Sequence, residues 1–251
     1  MNVVLTERIG NVMLITMNRP EQRNALNAEL MMGLGEAFTE AERDDAVRCV
    51  VFTGAGDRAF CAGMDLKAFA AGGLNLDTKR PGLHTFNRRV FPKPVVAAVN
   101  GTAVAGGFEL MMACDMAVAA DHAMFGLAEV KRGLVAAGGG TRLPRRIPLA
   151  IALEMALTGD TVSAARAYEL GLVNKVVPAA KLREEALALA ARVAANGPLA
   201  LKATKQLMME EIGATDWAHI NASVAHVFAS EDAKEGATAF AERRTPVWKG
   251  R

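Results

Sequence analysis

The chain has 251 residues, 51% hydrophobic and 22% charged, so it carries enough apolar material for a sizeable core and is neither disordered nor fibrous. Its 29 Lys+Arg against 27 Asp+Glu give a net charge of +2, too even a balance to indicate nucleic acid or an anionic membrane as partner. At 5%, aromatics are too sparse for base-stacking platforms.

A mean hydropathy of +0.16 raises the question of a membrane span. The longest apolar stretch, Pro94 to Phe108, is broken by Asn100 and Thr102 and meets Glu109 short of the ~20 residues such a helix needs. The start, MNVVLTERIG, has an acid at Glu7 and lacks the long apolar run of a signal peptide. Cys49, Cys61 and Cys114 are odd in number and far apart, with no CxxC pair. A reduced, cytoplasmic location is expected.

Taken in chain order, apolar runs at Val12–Met17, Val47–Thr53, Val95–Val99 and Met116–Ala119 read as strands, with a later candidate at Leu172–Val177. Between the first two, the spacing predicts a helix from Ala28 to Arg43, with Asn27 as its N-cap. Strands alternating with helices indicate an α/β body with buried strands. From Lys181 the period becomes helical throughout: Leu182, Ala186, Leu189 and Val193 recur, and Asn196-Gly197-Pro198 stops that helix. Helical stretches follow near Leu199–Glu211, Thr215–Ala229 and Glu231–Glu242. The division drawn is an α/β core over 1–180 holding the active site and a helical oligomerisation region over 181–251.

Gly54-Ala55-Gly56-Asp57-Arg58-Ala59 formally fits GxGxxG/A, with Asp77 at a suitable distance, but Gly63 soon afterwards makes a long helix there costly, so turn chemistry is the better reading. Gly138-Gly139-Gly140-Thr141 lacks the lysine of a phosphate loop. His84, His122, His219 and His226 form no HExxH, and no GxSxG elbow occurs, so metal and covalent catalysis are poor candidates. Arg142, Arg145 and Arg146, like Arg243 and Arg244, read as solvated faces.

Glu109 stands apart. It lies in AVNGTAVAGGFELMMACDMAVAA, where an unpaired buried charge would cost several kcal/mol, so a helix start or a cavity is expected. Gly106-Gly107 just before it suggests a strand-to-helix turn whose amides, backed by a helix dipole, suit a developing oxyanion. The bland alternative is a glutamate that only caps its helix. Phe60-Cys61-Ala62-Gly63-Met64-Asp65-Leu66 is a second small-residue turn, and Phe125-Gly126-Leu127-Ala128-Glu129 brings a second carboxyl.

These segments, in this order, resemble the crotonase superfamily, the enoyl-CoA hydratase/isomerase family. The resemblance is carried by NRPEQRNALN (Asn18–Asn27), FCAGMDL (Phe60–Leu66), AVNGTAVAGGFELMMACD (Ala98–Asp115) and FGLAEVKRGL (Phe125–Leu134). It continues through GGGTRLPRRI, ALTGD (Ala156–Asp160), AARAYELGLVNKVV (Ala164–Val177) and SEDAKEGATAFAERRTPVWKG. It implies a spiral of β–β–α units with two packed sheets, C-terminal helices that form a homotrimer or a hexamer of two trimers, an acyl-CoA substrate and no cofactor beyond that coenzyme A.

The resemblance also implies roles. The amides of Met64 and Gly106 would hold the thioester oxygen; Gln22, Arg23 and the segment to Asn24, with Ala62, Gly63, Asp65, Leu66 and Gly107, would line the coenzyme A path. Glu109 would act as base on water and Glu129 as the acid that protonates the α-carbon. Having both carboxyls favours hydration of an enoyl-CoA over isomerisation by Glu129 alone. The AGGFEL wording also resembles carnitinyl-CoA dehydratase, and an acyl-CoA-binding scaffold without turnover is the alternative from another class. Met64 stands where a smaller residue is common, Ala128 and Ala136 where proline is usual, and Gly133–Leu143 is one residue shorter than the family pattern.

Overall fold

The computed structural model describes residues 2–70, 79–213, 216–247, 249 and 251; Asp77 and Thr215 lie outside them. Its strands are β1 (Val4–Ile9), β2 (Val12–Met17), β3 (Cys49–Gly54), β4 (Ala59–Cys61), β5 (Val95–Val99), β6 (Thr102–Val104), β7 (Met116–Ala120), β8 (Met124–Gly126), β9 (Val162–Ser163) and β10 (Lys175–Val177). Its helices are α1 (Ala28–Arg43), α2 (Leu66–Ala70), α3 (His84–Asn87), α4 (Gly106–Ala113), α5 (Leu149–Thr158), α6 (Ala164–Glu169), α7 (Leu182–Ala194), α8 (Pro198–Glu211), α9 (Trp217–Ala229) and α10 (Glu231–Glu242). Short 3-10 turns occur at Pro20–Gln22, Glu129–Arg132, Gly140–Arg145 and Ala179–Lys181.

Six strands form one sheet in the order β1-β2-β3-β5-β7-β10, antiparallel only at its β1 edge. The alternation of side chains sorts the apolar runs between two cores. Met13, Ile15, Met17, Val50, Phe52, Val95, Ala97 and Val99 face one core, with α1 and the Phe38–Phe86 stack. Val12, Leu14, Cys49, Val51, Val96 and Ala98 face the other, which α7 closes with Leu182, Ala186, Ala190 and Ala194. Burial on both faces explains why these strands read as apolar runs with little alternation. Because α7 covers the sheet, the sequence boundary at 180 does not separate two packing units.

The expected strands and α1 are present, and Asn27 caps α1 by accepting from the Leu30 amide. β1, largely exposed, and the three-residue strands β4, β6 and β8 were not foreseen. The last three matter most. With β9 they build a second, four-stranded sheet in the order β4-β6-β8-β9, parallel from β4 to β8. Each parallel strand runs directly into a segment singled out above: β4 into Ala62–Leu66, β6 into Ala105–Gly107, β8 into Leu127–Glu129.

Among the described residues no helix is long and apolar enough to cross a membrane. All three cysteines are free and buried. Burial pushes the Cys49 and Cys61 thiols up to about 12. The Gly54–Ala59 glycines form a turn between β3 and β4 and open no helix.

Candidate active site

Three hydrogen bonds zip residues 23–26 onto the turn after β4: Ala62 N–H donates to Arg23 C=O (3.1 Å), Leu26 N–H to Gly63 C=O (2.8 Å) and Asp65 N–H to Leu26 C=O (3.0 Å). This is a parallel bridge between Leu26 and Met64 in which Leu26 uses both its groups, so the Met64 N–H points away from Leu26. Opposite it stands the β6–α4 turn. Ala105, with φ 52° and ψ −130°, occupies backbone space that favours glycine, a strain of about 1–3 kcal/mol. The kink starts α4 at Gly106, whose amide belongs to the unpaired first turn of the helix. A Cβ placed on Gly106 would lie 3.5 Å from Gly63 Cα and 3.8 Å from Met64 N, so the two turns are in contact. Gly63, at φ 84°, leaves room for this approach: a Cβ there would lie 3.1 Å from the Gly106 nitrogen.

Glu109, in the first turn of α4, is 6% exposed, as expected for a charge at a helix start. Its Oε1 accepts from the Gly140 amide at 2.8 Å. Burial raises its proton affinity, while the amides of Gly140 and Gly138 and then the guanidinium groups of Arg142 and Arg88 pull it back. Glu129 opens the 3-10 turn after β8, and its Oε2 is buried with no partner among the described residues. Burial first, and the Glu109 charge second, push the Glu129 carboxyl up to about 8. Both carboxyls are thus raised, chiefly by burial, Glu109 against the pull of donors and cations and Glu129 with an oxygen that has no donor among the described residues. A buried carboxyl oxygen without a partner calls for a functional explanation.

The residues expected along the coenzyme A path are placed less uniformly. Gln22 and Arg23 are exposed, and Arg23 lines a surface groove of about 580 Å³ with Asp57, Arg58, Thr102, His122 and Ala179, whose lining includes neither glutamate. Asn24 is fully buried as a brace: its Oδ1 accepts from the Arg19 amide and its Nδ2 donates to the carbonyls of Ala55 and Ala59. The Asp65 carboxylate pairs with Arg19 at 3.3 Å, and Leu66 begins α2. Gly107 has a packing reason of its own, since a Cβ there would lie 2.0 Å from the Cys61 carbonyl oxygen. Among the described residues no three His, Cys, Asp or Glu side chains converge as a metal site.

Two readings need correction. Arg142 and Arg146 are not solvated: the Arg142 guanidinium donates to the Asn87 carbonyl at 2.7 Å, and Arg146 donates to the carbonyls of Met112 and Cys114 at the end of α4. The Gly138–Gly140 run, set aside for lacking a phosphate-loop lysine, supplies the amides that hold Glu109. Its own signal was a glycine run between two apolar segments, where backbone must approach something closely. Asn87 and Arg88 carried no signal in the sequence.

A family model described as Enoyl-CoA hydratase/isomerase matches residues 7–251. The protein named enoyl-CoA hydratase EchA19 from Mycobacterium tuberculosis is 41% identical over 98% of this chain and 96% of its own length. A carnitinyl-CoA dehydratase from Salmonella typhi is 42% identical over 97% of both chains. The crystal structure of a carnitinyl-CoA hydratase from Mycobacterium avium superposes with a TM-score of 0.94 at 45% identity, covering 100% of both chains. With its two sheets, its paired turns and these likenesses together, the chain belongs to the enoyl-CoA hydratase/isomerase family.

Proposed function

We propose that this chain is an enoyl-CoA hydratase, adding water reversibly across the 2,3 double bond of a 2-enoyl-CoA thioester to give a 3-hydroxyacyl-CoA. The observation that carries this reading is the pair of buried carboxyls at one site, one held by backbone amides and one with an unpaired oxygen. Glu109 takes a proton from water as the hydroxyl oxygen bonds to C3. The alkene electron pair moves towards the thioester, whose oxygen gains charge against the amides of Met64 and Gly106, each such donor worth ~3 kcal/mol. Glu129 then delivers its proton to C2. Atoms balance with water as the only second reactant.

Loss of enoyl absorbance with a short 2-enoyl-CoA tests this directly, and conversion of a 3-enoyl-CoA without hydration would favour isomerisation by Glu129. A dehydratase acting on an acyl group with a trimethylammonium tail is the second reading, because of the relatives' names. Arg88 and Arg142 argue against a cation there, since their guanidinium groups already cover the Trp217 ring at 5.4 and 5.2 Å. Uptake of coenzyme A esters without turnover would leave the scaffold reading.

Assembly as a homotrimer, or two trimers, is part of the proposal. α8 buries none of its residues in the protomer, and Leu199, Leu207, Met208 and Ile212 are 84, 66, 67 and 54% exposed. A run of this kind is rare on a monomer surface. α10 is different: it packs on its own body, where Gly236 fits against the Arg132 backbone. Lys249, near the C-terminus, is held there by Glu231 at 3.0 Å.

A further inference from the structure

Around the two glutamates lies a group of side chains to which the mechanism above gives no task. Asn87, the last residue of α3, is 9% exposed, and its Oδ1 is buried without a partner among the described residues. Its carbonyl accepts from Arg142 at 2.7 Å and its Nδ2 approaches the Gly138 carbonyl at 3.4 Å. The Arg142 backbone N–H closes the loop by donating to Gly139 C=O at 3.0 Å. Gly139, at φ 141°, is wedged between the two charged residues: a Cβ there would lie 3.7 Å from Glu109 Cβ and 3.8 Å from Arg142 Nη1. From the C-terminal helices, Trp217 lays its ring 5.2 Å from the Arg142 guanidinium carbon. A half-buried guanidinium is thus held on two sides, by the Asn87 carbonyl at the end of α3 and by the Trp217 ring of α9, while its backbone is tied to Gly139, beside Glu109.

We infer that Arg142 is a positioning residue for the reaction, the fixed cation against which the Glu109 carboxylate and its Gly138–Gly140 amides are held. A surface arginine would gain little from such a mooring, because an exposed charge is screened and mobile. Arg142 stays charged even where burial disfavours it, since guanidinium does not deprotonate in proteins. The charged groups facing Glu109 are Glu129 from the turn after β8, Arg142 from the Gly140–Arg145 turn and Arg88 from the end of α3. The two cations act in the opposite sense to Glu129 and to burial. Without Arg142, Glu109 and Glu129 compete for one proton on more equal terms, and the base is lost first as pH falls.

The inference rests on the hydratase reading for its kinetic test alone. Arg142→Met and Arg142→Lys are compared with wild type by the pH dependence of kcat/KM on a short 2-enoyl-CoA. In Arg142→Met the acidic limb moves up by about half a pH unit or more, so the loss is larger below neutrality than above it, and Arg142→Lys restores the limb. An Arg142→Met enzyme that loses activity evenly at every pH has lost only structure, and overturns the inference. Should Arg142→Met fail to fold, the exposed Arg88→Met moves the limb the same way by less, and an unmoved limb there overturns the inference as well. A second measurement needs no turnover. In a Glu129→Gln background, the infrared band of the protonated Glu109 carboxyl, followed through a pH titration, moves to a higher midpoint with Arg142→Met. A wild type that hydrates nothing while this band still moves removes the hydratase reading and keeps Arg142 in its role. A band and a limb that both stay still remove Arg142 alone.

Discussion

The Glu109 carboxylate accepts a 2.8 Å hydrogen bond from the backbone amide of Gly140, across 31 residues of chain. A carboxylate held by amides of a distant loop is only as well placed as that loop. A Cβ on Gly138 would lie 2.3 Å from Glu109 Oε2, so the carboxylate must move to admit it. Gly138→Ala is expected to lower kcat about 10- to 100-fold while coenzyme A esters still bind, because ~1 Å of misplacement at a reacting group costs on that order. Steady-state kinetics beside a binding titration decides it, and an unchanged kcat would show the loop to be irrelevant.

Glu109→Gln and Glu129→Gln are each expected to lower hydration by about 10²- to 10⁴-fold with ester binding nearly intact. Both substitutions keep volume and remove proton transfer. Near-wild-type turnover of several enoyl-CoA substrates by either variant would sink the assigned roles.

Two adjacent glycines separate site geometry from packing. At Gly106 an added Cβ meets the flexible end of Leu26 at 3.3 Å and points towards Met64 N, whereas at Gly107 it meets the rigid Cys61 carbonyl oxygen at 2.0 Å. Gly106→Ala is expected to fold and to lose about 10²-fold or more in kcat through the thioester oxygen site. Gly107→Ala is expected to lose about 3 kcal/mol or more of stability instead. Thermal melts beside kinetics read both, and a Gly106→Ala enzyme with normal turnover would place the oxyanion site elsewhere.

The Glu129 carboxyl, raised to about 8 by burial and then by the Glu109 charge, makes stability depend on pH. Between the ordinary carboxyl range and about 8 the folded protein holds a proton that the unfolded chain releases. The slope of stability with pH is therefore negative: the contribution is complete below the unfolded value and is gone once pH has risen through the folded one. Glu129→Gln is expected to melt higher than wild type at pH 8–9, by about 2–4 °C per kcal/mol recovered, with the gap closing towards acid. Activity should fall on the alkaline side as Glu129 loses its proton. A melting difference that grows towards acid pH would contradict this sign.

Light scattering at micromolar protein is expected to report three times 26.5 kDa or a multiple of it. Leu207→Glu with Met208→Glu should break that assembly, since both side chains stand exposed on α8. A 26.5 kDa species with full hydration activity would refute the ring.

Much of this molecule is legible in one dimension. The strands buried on both faces, Val12–Met17 and Val95–Val99, are apolar throughout apart from Thr16, so they stand out as runs. α1 carries its own start signal in Asn27. Glu109 is conspicuous because a charge inside an apolar segment must have a reason. The carriers of the site were hidden for the opposite cause: β4, β6 and β8 have three residues each, too few for any period to show.

What the sequence by itself marked was Glu109, the two small-residue turns and the α/β class, because each is written in residues close together along the chain, whereas Glu129 stood out only through the family resemblance. What only the tertiary structure decided was everything that depends on a partner far away. Gly138–Gly140 and Arg142 meet Glu109 across some thirty residues, Asn87 reaches Arg142 across 55, and Trp217 arrives from the C-terminal helices. Spacing along a chain says which side chains share a strand or a helix face; it does not say which loop will fold against that face. The proton affinities of Glu109 and Glu129 are set by that folding, through burial, borrowed amides and facing charges, and so they exist only in the folded chain.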